Sequence, residues 1–242
     1  MTWPYAMKLG IMQPYFMPYI GYFQLIAAVD VFIVYDNIKY TKKGWINRNR
    51  LLLNGSDAMF SLPLSKGSDS LDIVQRELAA DFDPRKLLNQ FKGAYGHAPQ
   101  FELSYSVLER IVQHEDANLF RYIHHSIVQL CKHLGINTAI RISSGIDIDH
   151  ELKGQDKVLT LCKAAGADTY INTIGGLELY DKADFRIHGI DLKFIKSRPF
   201  EYAQLGDKFV PWLSIIDVLM FNPVEQVQSQ IREGYSLVQC PI

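Results

Sequence analysis

Long apolar runs are missing from this chain, and so is any surplus of charge. Among its 242 residues the longest apolar stretch, Ile11 to Val34, is broken by Gln13, Pro14, Pro18, Gln24 and Asp30. A bilayer-spanning helix needs about 20 consecutive apolar residues, so no membrane insertion is expected. The 25 basic and 26 acidic side chains leave a formal net charge of -1. A dedicated nucleic-acid binder carries a basic surplus for phosphate contacts, so no nucleic-acid partner is expected either. Cysteine is scarce. Cys131, Cys162 and Cys240 cannot all pair and have no ligand spacing, which predicts a reduced, cytoplasmic chain without a disulfide framework. A basic segment followed by an apolar one is absent from the N-terminus, so no signal peptide is expected. H-E-x-x-H, G-x-S-x-G, the P-loop and G-x-G-x-x-G are all absent, which argues against four familiar catalytic or cofactor sites. Adjacent His124 and His125 point different ways around a helix, and no metal site is expected.

What is present is a globular composition, 48% hydrophobic, on a chain long enough to build one large core without a disulfide or metal. Lys8 to Gln13 reads as a buried strand, Tyr19 to Val29 as an amphipathic helix and Val31 to Tyr35 as a second strand. Strand, helix and strand within thirty-odd residues make a βαβ unit and imply a parallel sheet. Asn54-Gly55 between two apolar runs predicts a hairpin within Leu51 to Leu64. Helices follow: one opened by Asp83-Pro84, one over Glu102 to Gln113, one over Asp116 to Leu134 closed by Gly135. Alternation then returns, with strands at Thr138–Ile142, Thr169–Asn172 and Leu192–Ile195. Helices are expected at Gln155–Ala165, Asp181–His188 and Pro223–Glu233. Ser214-Ile215-Ile216-Asp217 reads as a helix capping box rather than as chemistry. The expected fold is a single α/β domain over 1–242. Its sheet is mostly parallel and Rossmann-like, with a hairpin and largely helical insertion at about 37–137.

In parallel sheets, ligand sites form beyond the carboxyl ends of strands. The first strand ends in Gln13-Pro14-Tyr15-Phe16-Met17-Pro18-Tyr19-Ile20-Gly21-Tyr22, where Gln13, Tyr15, Tyr19 and Tyr22 offer hydrogen bonds and stacking faces. A turn that merely packs would look similar. The second ends at Asp36 and opens into a loop carrying Lys39, Lys42, Lys43, Arg48 and Arg50. No acidic residue occurs from Asn37 through Ser56. With Trp45, Asn47 and Asn49, that loop suits a phosphate joined to a flat ring or sugar. A solvated basic loop is the alternative. The third end brings Ser143, Ser144 and Gly145. The fourth brings Asn172, then Gly175 and Gly176, with Tyr180 close behind. Paired glycines allow a ligand to approach the backbone.

Read together, several stretches resemble the WbqC-like family of bacterial proteins from about Met7 onward. They are Gln13-Pro14 through Gly21-Tyr22-Phe23, Asp30, Tyr35-Asp36, Trp45 to Asn49, Tyr170-Ile171-Asn172, Gly175-Gly176 with Leu179-Tyr180, and Leu213 to Asp217. The resemblance implies a place in gene clusters for O-antigen and other surface polysaccharides; it does not specify a reaction. A fainter likeness links the first strand–turn–helix to HIGH-type nucleotidylyltransferases, whose H-x-G-H turn holds phosphate. The matching positions are Tyr19, Ile20, Gly21 and Tyr22, and both histidines are absent. A neutral tyrosine donates a hydrogen bond but adds no positive charge, so this likeness carries the fold further than the activity.

Two functional readings follow. In the first, an enzyme binds a phosphorylated small molecule, a nucleotide or nucleotide-sugar, and transfers an acyl, aminoacyl or other group. Asp36 is its expected general base, with Tyr19 and Tyr22 beside the reacting group. Its binding residues are Gln13, Tyr15, Lys39, Lys42, Lys43, Trp45, Asn47, Arg48, Asn49, Ser143, Ser144, Asn172, Gly175, Gly176 and Tyr180. In the second, a non-catalytic protein keeps a nucleotide-binding shell. Neither implies a particular cofactor. The nucleotidylyltransferase remains an alternative enzyme.

Overall fold

A computed structural model describes residues 6–239. In chain order the elements are β1 (Lys8–Met12), α1 (Ile20–Ala27), β2 (Val31–Val34), β3 (Arg48–Leu53) and β4 (Ser56–Ser61). Then come α2 (Pro84–Tyr95), α3 (Phe101–Val112), α4 (Leu119–His133), β5 (Ala139–Ile142), α5 (Gly154–Ala165) and β6 (Thr169–Thr173). The chain continues through α6 (Lys182–Ile187), β7 (Asp191–Ser197), α7 (Ile215–Phe221) and α8 (Val224–Glu233) to β8 (Tyr235–Gln239). Six strands form one sheet in the order β5-β2-β1-β6-β7-β8. Every neighbouring pair is parallel except β7 and β8, which run antiparallel. The α/β class and the mostly parallel sheet expected from the sequence are therefore found.

The period-2 alternation of the strands puts apolar groups on both faces. Leu9, Ile11, Val31, Ile33, Leu192 and Phe194 share a core with Val158, Leu161 and Cys162 of α5 and Phe185 of α6. On the opposite face Phe32, Val34 and Ile195 meet Phe23, Leu25 and Ile26 of α1 and Ile231 of α8. Burying one such side chain contributes ~1.5–3 kcal/mol, so this double-sided packing fixes the sheet's layers. Asp30 ties the loop before β2 to the start of β1, accepting the Lys8 N–H at 2.8 Å. The segment between β2 and β5 holds the β3–β4 hairpin and α2 to α4. Its Phe60, Phe91, Tyr122 and Ile127 belong to the same core as α1.

Local signals explain most boundaries. Asn54 and Gly55 both adopt positive φ, 51° and 75°, as a two-residue hairpin turn of the primed type requires. The Asp83 carboxylate accepts from the Arg85 N–H and Pro84 opens α2. Helix α4 starts later than expected, because the Asn118 side chain accepts from the Arg121 N–H and so sets the cap there. The capping box expected at α7 is only half present. Ser214 accepts from the Ile216 N–H, but Asp217 does not reach back, since the Ser214 N–H donates to Arg50 O. Strand β8 was not expected from the sequence. It is an edge strand with a half-exposed alternation too weak to read. Cys131 and Cys162 are buried, and burial pushes both thiols up to about 12, so they are inert core groups. Cys240 lies outside the described residues. No helix among the described residues is long and apolar enough to cross a membrane.

Candidate functional site

The strand order reverses between β1 and β6, and a crevice is expected where the crossovers part to opposite faces. A cavity of about 670 Å³ opens at that point. The end of β1 contributes Ile11, Met12 and Gln13, the end of β6 contributes Asn172 and Thr173, and the following turn contributes Gly175 and Gly176. Tyr15, Tyr35, Trp45 and Tyr180 close its sides, and Gly154 and Gln155 bring in the first turn of α5. Of the residues singled out in the sequence, Gln13, Tyr15, Trp45, Asn172, Gly175, Gly176 and Tyr180 thus share one cleft. Tyr35, Gly154 and Gln155 were not expected in the site. The first ends an apolar strand, and the other two open a helix that lacks a side-chain cap.

Hydrogen bonding divides this wall into fixed and available groups. Asn172 is buried; its amide donates to the Tyr170 and Tyr180 hydroxyls at 3.2 and 3.1 Å, and its oxygen accepts the Thr173 N–H. Gly176 lies directly on it, where a Cβ would come within 3.0 Å of Asn172 Nδ2. A Cβ on Gly175 would meet nothing within 4 Å. The Gln13 amide and the Tyr35 hydroxyl have no hydrogen-bond partner among the described residues, so both remain available to a ligand. Burial raises the Tyr35 hydroxyl to about 12, keeping it a proton donor at neutral pH. Behind Tyr35 lies Lys157, 4% exposed. Its ammonium donates to His150 O at 3.0 Å and Asn37 O at 3.3 Å and sits 5.3 Å from the Tyr35 ring centre. Among the described residues no carboxylate forms an ion pair with it. Among the described residues the cleft wall itself carries no Lys, Arg, His, Asp or Glu.

Asp36, Ser143 and Ser144 lie at the ends of β2 and β5, on the same sheet edge but outside the wall of this cleft. Asp36 is 1% exposed. Its carboxylate accepts from the Ser143 hydroxyl at 2.7 Å, the Ser144 hydroxyl at 2.6 Å and the Ser144 N–H at 2.9 Å. Ser143 in turn accepts the Asp36 N–H. The three form a clamp between two strand ends, and Asp36 does not line the cleft. Tyr22 is also turned inward: it is buried and its hydroxyl donates to Gln13 O at 3.0 Å. Tyr19 diverges from it. Its ring folds over Gly21, where a Cβ would come within 2.5 Å of Tyr19 Cζ.

The basic loop does not turn into the cleft. Lys39, Lys42 and Lys43 are exposed, and Lys42 pairs with Asp69 at 2.7 Å. Arg48 Nε donates to Gly44 O. Asn47 accepts from the Tyr40 hydroxyl and donates to Leu62 O. Asn49 is buried and donates to Met17 O at 3.0 Å. These side chains shape the loop that carries Trp45.

Two further cavities continue from the cleft. One of about 230 Å³ shares Tyr15 and Trp45 with it and adds Tyr19, Asn49, Arg50 and Trp212. The next, about 360 Å³, shares Tyr19 and Trp212 and runs on past Phe200, Tyr202 and Phe209. Arg50 was expected only as one of the basic residues of the phosphate-suited loop, and Trp212 was not singled out; an isolated Trp in an irregular segment gives no periodic signal.

Fold and site together define an open, mostly parallel α/β protein with a cleft at its topological switch point. The chain belongs to the WbqC-like protein family, whose model matches residues 13–229. The uncharacterized protein Rv1507c of Mycobacterium tuberculosis (strain H37Rv) is 27% identical over 228 residues, which span 93% of this chain and 97% of its own.

Proposed function

We propose that this protein binds a nucleotide-activated sugar in the switch-point cleft and transfers an acyl, aminoacyl or other group in the building of bacterial surface polysaccharide. The observation that carries this reading is the cleft of about 670 Å³, with its free Gln13 and Tyr35 tips and its glycine turn. Lys157 strengthens it. A desolvated cation without a carboxylate partner gives the back of a neutral cleft a positive potential, which suits a phosphate. Backbone N–H groups of the Gly175–Gly176 turn and of the first turn of α5 would meet its oxygens. The sugar would lie toward Tyr15 and Trp45.

One observation favours the non-catalytic reading instead. No acid or base other than tyrosine lines the cleft among the described residues, and Asp36 is fully engaged elsewhere. In that case the protein would hold the activated sugar without converting it.

Melting temperatures with nucleotides, nucleotide-sugars and acyl donors test the shared claim of binding. A ligand at a hundredfold excess over Kd stabilises the fold by about 2.7 kcal/mol, roughly 5–10 °C for a chain of this size. Gly175→Val should keep the fold, because the new side chain enters open space, yet abolish the shift. Arg48→Ala should retain most of it. If no nucleotide or nucleotide-sugar moves the melting temperature, the proposal fails.

A further inference from the structure

We infer that the aromatic trough beyond the cleft is a binding site for a saccharide chain, with Trp212, Trp45 and Tyr19 as its platforms. Trp212 is 55% exposed and Trp45 is 44% exposed. Two indoles so displayed on neighbouring segments are costly in water, and such patches usually have a partner. Their placement is enforced. The Arg50 guanidinium sits 5.7 Å from the Trp45 ring centre, donates to Trp212 O at 3.1 Å and pairs with Asp57. A single side chain therefore holds both platforms.

Backbone strain points the same way. Three non-glycine residues among those described have positive φ: Asn54 in the hairpin turn, Met17 at 46° and Trp212 at 59°. Trp212 lines the trough, and Met17 is buried directly before Pro18 of its wall. Left-handed backbone is unfavourable for both side chains and is kept only where the surroundings enforce it, typically at functional sites. Here Asn49 and Ser214 both donate to Met17 O, at 3.0 and 2.6 Å, and Arg50 holds Trp212.

Ring geometry selects the ligand class. Tyr19 and Trp212 meet at 71° with centroids 6.1 Å apart, so they form a corner and not a parallel slot. Two rings at such a corner cannot sandwich a flat nucleobase, which would find only one stacking face there. A pyranose offers C–H groups on its faces and hydroxyls on its rim, and fits a corner that is aromatic inside and polar at the edge. Arg50, Arg198 and Glu201 supply such an edge. Tyr19 and Trp212 divide the 230 and 360 Å³ cavities, which suits successive rings of one chain. Binding by the trough stands on these observations alone. That the chain is the acceptor for a sugar held in the cleft rests on the function proposed above.

Calorimetric titration with a panel of linear oligosaccharides of two to six residues, without nucleotide, tests the inference. At least one should bind, and Trp212→Ala should weaken it about tenfold or more, as loss of a stacking platform does. Trp212→Gly removes the ring and also relieves the left-handed backbone, so it should melt no lower than Trp212→Ala while binding equally poorly. Gly175→Val should leave saccharide affinity unchanged, which separates the trough from the cleft. No binding across the panel, or binding indifferent to Trp212→Ala, overturns the inference. Tighter binding of a free nucleoside than of any saccharide, lost in Trp212→Ala, would overturn it too.

Discussion

Asp217 illustrates how much one buried carboxylate can fix. It is fully buried on α7 and accepts from the Tyr95 hydroxyl at 3.0 Å, the Tyr202 hydroxyl at 2.6 Å and Gln204 Nε2 at 2.7 Å. It thereby joins α2, α7 and the 198–213 segment that walls the outer trough. Burial raises its pKa above the ordinary 3.8; the three hydrogen bonds pull it down by less. The folded state therefore holds this proton more tightly than the unfolded state does. Stability contributed here falls as pH rises from 3.8 through the raised folded value, and the loss is complete above it. Denaturation of wild type and Asp217→Asn across that range should show wild type losing stability relative to the variant as pH increases. A wild type that gains relative stability with rising pH would mean that the hydrogen bonds outweigh burial.

Elements were legible where a local device sets them. The Asn54-Gly55 turn, the Asp83 cap and the Gly166 stop, with φ 72°, are each decided within a few residues. β8 and the true start of α4 depend on distant partners or on a competing cap, and no short-range pattern announces them. The Asp36 clamp belongs to this scale too, since it joins the ends of β2 and β5 across 107 positions of sequence. Sequence placed Asp36, Ser143 and Ser144 at strand ends but could not tell that they satisfy one another. Asp36→Ala removes charge-assisted hydrogen bonds and strands the Ser144 hydroxyl, while Ser143 can still donate to Asn37 Oδ1; the loss should cost roughly 1.5–3 kcal/mol in chemical denaturation. Ser144→Ala should cost less, because Ser143 and the Ser144 N–H still reach the carboxylate. An Asp36→Asn protein that loses turnover at unchanged stability would show instead that Asp36 acts chemically.

Across the whole molecule, the parallel sheet gathers Gln13, Asn172 and the glycine turn onto one edge, and this much followed from strand order alone. Which loops turn inward did not follow. The run from Asn37 to Ser56 has no acidic residue, yet Asp69 and Asp72 come back beside it in space. Local charge in sequence is a poor guide to local charge in three dimensions, and the basic loop is partly neutralised while Lys157, hidden in a helix, stands unpaired behind the cleft. The same geometry bears on nucleotidylyl transfer. An H-x-G-H turn works by aiming two cations at one phosphate. Here the Tyr22 hydroxyl donates its hydrogen bond to Gln13 O inside the core, and Tyr19 lies on the far trough beside Trp212. The two hydroxyls cannot converge, and each donor missing from such a transition state typically costs ~10²–10³ in rate. Lys157 is committed to two carbonyls and would have to leave both to follow a reacting phosphate. With Mg²⁺, ATP or CTP and a panel of sugar phosphates, no pyrophosphate release above background is therefore expected. Robust release that survives Tyr19→Phe but is lost in Gly175→Val would place adenylyl or cytidylyl transfer in the cleft and reverse this reading.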